Sequence, residues 1–93
     1  MLDAVEIGEC GIGAIRDRAA TRDNESGERS MARTVRIFAA MTGLVLSETD
    51  GWKFMLAVKL GRASQGKHNA DDYIDLVGYA ALAGEAAERS AHA

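Results

Sequence analysis

Residues 47–63 read Ser47-Glu48-Thr49-Asp50-Gly51-Trp52-Lys53-Phe54-Met55-Leu56-Ala57-Val58-Lys59-Leu60-Gly61-Arg62-Ala63. A serine followed by Glu48 and Asp50 has the form of a helix N-terminus. Its hydroxyl can accept an early amide proton, and the acids suit the positive end of the helix dipole. Lys59 and Arg62 supply the opposite sign at the far end. Between them Trp52, Phe54, Met55, Leu56, Ala57, Val58 and Leu60 leave little polar surface, the profile of a central buried helix or of half a dimer interface. The cluster of Trp52, Phe54 and Met55 is assigned to the core.

The flanks extend the same pattern. Downstream, Ser64-Gln65-Gly66-Lys67-His68 is a short turn, and Asn69 offers a second cap with Asp71 and Asp72 behind it. A helix over 70–88 follows through Ile74, Val77 and Ala81, and a turn this short makes it an antiparallel neighbour of the helix over 48–63. Upstream, Met31, Val35, Phe38 and Met41 mark one face of a helix over 30–42, which Gly43 should end. Leu44-Val45-Leu46 is too short for a sheet and reads as a connector plugged into the core. Leu2, Val5, Ile12, Ile15 and Ala19 give weaker helical spacing over 1–20, interrupted by Gly8, Gly11 and Gly13. That helix should start late or pack closely through its glycines. Residues 21–29 hold no aliphatic or aromatic side chain and form a polar loop. The prediction is one all-α domain, a small bundle of about four helices that associates as a homo-oligomer, most simply a dimer.

Composition restricts function more than it reveals it. The chain has 93 residues, 47% apolar, with eleven basic and fourteen acidic side chains and a net charge of −3. Residues 1–46 carry seven acids and six bases, and 47–93 carry seven and five, so neither half is a general nucleic-acid binder. No apolar run reaches the roughly 18–20 residues of a membrane span. The acidic start, Met1-Leu2-Asp3-Ala4-Val5-Glu6, lacks the basic and apolar regions of a signal peptide. One cysteine, Cys10, forms no internal disulfide and reads as a small core residue. A soluble cytoplasmic protein is the expectation.

Two constellations bear on chemistry. Asp71 and Asp75 share a helix face, Asp72 and Asp75 an adjoining one, and Glu25 and Glu28 lie in the polar loop. Convergent carboxylates are what a magnesium ion on a triphosphate needs. The competing reading pairs Lys59 and Arg62 with Asp71, Asp72 and Asp75 across the turn, as salt bridges without catalysis. Arg29, Arg33 and Arg36, spaced four and three, stripe the second helix. With Arg16, Arg18 and Arg22 upstream they could meet phosphates or carboxylates. A solvated face balanced by Asp17, Asp23 and Glu28 is the plainer alternative. His68 and His92 have no companions at ligand spacing, and Gly11-Ile12-Gly13 is no dinucleotide fingerprint.

Glu25-Ser26-Gly27-Glu28 and Asp72-Tyr73-Ile74-Asp75 resemble the ExxE and ExxD signature of the all-α nucleotide pyrophosphohydrolases, the MazG-like group. The first pair departs in lying in a glycine-containing loop, the second in beginning with aspartate. A broader resemblance runs through Gly27-Glu28-Arg29-Ser30-Met31, Thr34-Val35, Phe38, Thr42-Gly43, Gly51-Trp52, Phe54-Met55, Val58-Lys59, Arg62, Asp71, Asp75, Tyr79-Ala80-Ala81-Leu82 and Gly84-Glu85. Over residues 16–88 this is similar to a family of small phage and prophage proteins of unknown function. Glu28, Arg29, Lys59, Arg62, Asp71 and Asp75 match its polar positions, whereas Glu25 and Asp72 depart from them, which weakens the acidic pairs.

The resemblance implies a viral or prophage origin and no particular activity. With the small size and the arginine stripe, it leads to the expectation of a non-enzymatic binding protein without a cofactor. Its partner would be a host protein, as for an anti-defence inhibitor, or a small anionic nucleotide that it sequesters. Arg29, Arg33, Arg36, Lys59 and Arg62 would make the contacts. One alternative is a magnesium-dependent nucleoside-triphosphate pyrophosphohydrolase with Glu28, Asp71, Asp72 and Asp75 on the metal and Lys59 on phosphate. Another is a helical oligomer that binds nothing.

Overall fold

The computed structural model describes residues 1–22 and 30–93. The described residues form four helices and no strand: α1 (Ala4–Arg22), α2 (Ser30–Thr42), α3 (Glu48–Ala63) and α4 (Ala70–Ala91). The fold is all-α, as the periodicities predict.

Local chemistry sets most of the ends. The Ser47 hydroxyl accepts from the Asp50 amide at 3.0 Å, and the Asn69 side-chain Oδ1 from the Asp71 amide at 3.0 Å. Gly43, at φ +79, follows α2 in the left-handed conformation that glycine adopts without steric cost. The first helix begins at Ala4 despite its glycines. Asp3 accepts from the Glu6 amide at 2.9 Å while Glu6 accepts from the Asp3 amide at 3.2 Å. That reciprocal capping box satisfies two amides and holds the helix start early. Thr21 and Arg22, expected in the polar loop, complete α1. The rest of that loop lies outside the described residues. α4 runs to Ala91 rather than 88, with the His92 amide bonded to the Glu88 carbonyl.

The core is made chiefly by α3 and α4, with α1 packed along a neighbouring face of α4. Met31, Trp52, Tyr79, Leu82, Ala83 and Ala86 are buried, and Val35, Met55 and Leu56 pack against them. Trp52 meets Tyr79, Lys59 meets Asp75 and Glu48 meets Arg89, so the two helices run antiparallel. α1 approaches α4 closely through Gly11, where a Cβ would stand 2.7 Å from Val77 Cγ1. Gly11 takes that inward position, and Cys10 beside it is exposed rather than core.

α2 packs mainly on α3, through its first two turns. Two core assignments fail there. Leu44 and Val45 are 61% and 86% exposed, and only Leu46 of the connector is half-buried. Phe54 is 65% exposed although Trp52 is 4%. Residues two apart point about 200° apart around a helix, so an α3 covered by α4 on its Trp52 side turns Phe54 outward.

Candidate functional site

Helical spacing assembles a cluster on the α1 side of the α3–α4 pair. Asp75 and Tyr79, four apart, share a face of α4, and Trp52 and Lys59, two turns apart, share a face of α3. The antiparallel register sets one pair on the other. Lys59 Nζ lies 2.8 Å from Asp75 Oδ2, with both side chains largely buried. The Trp52 and Tyr79 rings stack with centroids 5.8 Å apart and planes inclined by 24°. α1 completes the group through Arg18. Its Nη2 is 3.7 Å from Asp75 Oδ1, and its guanidinium carbon stands 5.2 Å from the centre of the Tyr79 ring. Asp75 thus joins cations from two helices, and the arginine rides on an aromatic face that attracts it.

A cleft of about 390 Å³ opens beside this cluster, between Arg18, Ser30, Met31, Thr34, Trp52, Met55 and Tyr79. Its volume falls within the roughly 300–1,000 Å³ of small-molecule sites. The walls offer a guanidinium, three hydroxyl-bearing side chains and apolar surface. This combination suits a ligand with an anionic group and a flat or apolar part. Ser30 on the wall is the first residue of α2.

The residues singled out in the sequence are dispersed. Lys59 and Asp75 meet, as the turn between their helices requires. Among the described residues, no ion pair joins Arg62, Asp71 or Asp72 to the cluster, so the five-membered salt-bridge set contracts to Lys59 and Asp75, with Arg18 added. Asp71 and Asp72 occupy the first turn of α4, where they complement its dipole. Arg33 and Arg36 are exposed on α2 and do not line the cleft. Glu25, Glu28 and Arg29 lie outside the described residues. Among the described residues, no three His, Cys, Asp or Glu side chains converge as metal ligands. Sequence reasoning missed Trp52 and Tyr79 as a ring pair beside a cleft, and Arg18 as the third arm. The four-residue step from Asp75 to Tyr79 was a usable signal for the rings, but no spacing ties Arg18 to them.

Residues 15–87 match the family model of a domain of unknown function, DUF6378. The chain belongs to this family. The matched span contains Arg18, Trp52, Lys59, Asp75 and Tyr79, the whole cluster, along with all of α2 and α3. Comparison with curated proteins and with solved structures finds no match. The DUF6378 assignment therefore covers the cleft without giving it a chemistry, and its physical features carry any functional reading. No helix among the described residues is long and apolar enough to cross a membrane.

Proposed function

We propose that this DUF6378 protein is a small binding protein of phage or prophage origin that sequesters an anionic, nucleotide-type ligand and so blunts a host defence. One observation carries the reading: a ligand-sized cleft whose wall holds Arg18, fixed between Asp75 and the Tyr79 ring. A guanidinium already oriented by a carboxylate loses little freedom when it meets a phosphate. Thr34, Ser30 and the methionines around it give the remainder of a nucleotide polar and apolar contacts. Arg33 and Arg36 on the exposed flank of α2 are the residues a host protein would meet instead.

Titration of the chain with nucleoside mono-, di- and triphosphates and cyclic nucleotides, read by thermal stability, tests the cleft. A ligand at a hundred times its Kd stabilises by about 2.7 kcal/mol. The shift should disappear in Arg18→Ala and persist in the double variant Arg33→Glu, Arg36→Glu. Absence of any shift, or one insensitive to Arg18, would leave the cleft without a ligand of this class. Loss of a captured host protein on reversing Arg33 and Arg36 would favour the protein-partner reading.

The MazG-like alternative has one observation in its favour. Asp71, Asp72 and Asp75 stand within the first two turns of α4, and the last of them is in contact with Lys59. Pyrophosphate release that requires magnesium and is abolished by Asp75→Asn would establish that enzyme. No release from any common nucleoside triphosphate would dismiss it.

A further inference from the structure

Next to the cleft, and sharing Met31, Thr34 and Met55 with it, lies a second feature of different chemistry. Met31, Val35, Phe38, Leu46, Phe54 and Met55 border a groove of about 230 Å³ whose exposed lining is apolar. Beyond it α2 continues past its packed first turns, so that Met41, Leu44 and Val45 project from the body. Ile37, Phe38, Met41, Leu44, Val45 and Phe54 are between 37% and 86% exposed. Together they offer on the order of 700–800 Å² to solvent, close to the ~800 Å² that each partner contributes to an interface of standard size. Patches of this extent on soluble proteins mark interaction surfaces. α2 has only 13 residues, and a helix of that length depends on packing its apolar face, whose second half the described residues leave exposed at Met41.

We infer that the α2–α3 face is the interface of a homodimer. A two-fold interface must be self-complementary, because each copy presents the same surface to the other. This face meets that condition in shape, with an apolar groove beside an apolar projection formed by Met41, Leu44 and Val45. It also meets the condition in charge. Exposed Arg33, next around the helix from Ile37, borders it on α2, and exposed Asp50 borders it on α3 one turn before Phe54. Two-fold pairing sets the projection of one copy in the groove of the other and brings rims of opposite sign together. The exposed apolar area matches what one partner contributes to an interface of standard size.

Sedimentation equilibrium of the full chain across the micromolar range tests this. The expected species has twice the 9.9 kDa mass of the chain. Val45→Lys and Phe54→Lys should each weaken association by at least about tenfold. Leu60→Lys, at an exposed position on a different face of α3, should not. Val45 is too exposed to support the monomer's core, so its variant should keep its helical circular dichroism even if Phe54→Lys does not. A wild-type chain that sediments as a monomer throughout, with the face left for a foreign partner, overturns the inference. So does a dimer that survives Val45→Lys with its dissociation constant unchanged.

Discussion

α2 and α4 reverse the usual relation between pattern and burial. α2 shows the cleanest amphipathic spacing in the chain, Met31, Val35, Phe38 and Met41, yet of these only Met31 is buried. α4 is rich in alanine and glycine, and it buries Gly78, Tyr79, Leu82, Ala83 and Ala86. The difference is in their neighbours. α4 packs against both α1 and α3, and small side chains let both approach, whereas among the described residues α2 has α3 beneath its first turns and no comparable partner elsewhere. Periodicity states which face of a helix should leave water; the number of neighbours decides whether it does.

The largest test of this contrast lies within one helix. Trp52→Ala should cost about 3–5 kcal/mol, since it opens a cavity under Tyr79 and between two helices. Phe54→Ala, two residues on, should cost about 1 kcal/mol or less at concentrations where the chain is monomeric, because little of that ring leaves water. Urea unfolding curves for the two variants give the comparison directly. Equal losses would mean that Phe54 is packed and that α2 is as well covered as α4.

A smaller effect separates the two seams by their rigidity. A Cβ on Gly11 would meet Val77 Cγ1 at 2.7 Å, Val77 Cβ at 2.8 Å and the Ile74 carbonyl oxygen at 3.1 Å. Valine's stiff branch and a helix backbone cannot move aside cheaply. Gly11→Ala should therefore destabilise by about 1–3 kcal/mol, even after the ~1 kcal/mol that alanine contributes to a helix. At Gly51 the nearest atoms belong to the Met31 side chain, unbranched and able to change rotamer, and Val35 Cγ1 follows at 3.1 Å, where a shift of about a few tenths of an ångström suffices. Gly51→Ala should stay within about 1 kcal/mol of neutral, the propensity gain offsetting the repacking. Thermal unfolding of the pair distinguishes a rigid α1–α4 seam from an adaptable α2–α3 seam, and similar losses would erase the distinction.

What the sequence made legible follows the same division. Caps at Ser47 and Asn69 and the stop at Gly43 are local, so the residues beside them suffice to find them. The Lys59–Asp75 contact spans sixteen positions but follows from a short turn between two helices, and it too could be read in advance. Phe54 could not be placed, because an all-round apolar helix does not say which side its neighbours will cover. Leu44 and Val45 could not either; three apolar residues in a connector look alike whether they enter a core or face out. In the candidate site, Arg18 needed the crossing of α1 over α4, which Gly11 sets and no local pattern announces. The opening glycines allow two readings of α1, a late start or close packing; the Asp3–Glu6 box starts it early, and Gly11 packs it closely on α4.

The two ends of the α3–α4 pair carry the last and smallest differences. At the end beside the turn between α3 and α4, Asp75→Ala leaves Lys59 and Arg18 facing each other without their shared carboxylate, and it should cost about 1–3 kcal/mol. At the other end Arg89 Nη1 lies 3.2 Å from Glu48 Oε2 and Nη2 lies 3.5 Å from Glu85 Oε1, with all three side chains substantially more exposed than Lys59. Solvent screens those pairs, and holding a long side chain in place costs entropy. Arg89→Ala should therefore destabilise by less than about 1 kcal/mol, part of it from losing a positive charge in the last turn of α4, and the loss should shrink further at high salt. Denaturant titrations of both variants at low and high ionic strength give the four values needed. An Arg89 loss as large as that of Asp75, or one that resists salt, would mean that burial is not what sets the cleft cluster apart from an ordinary surface pair.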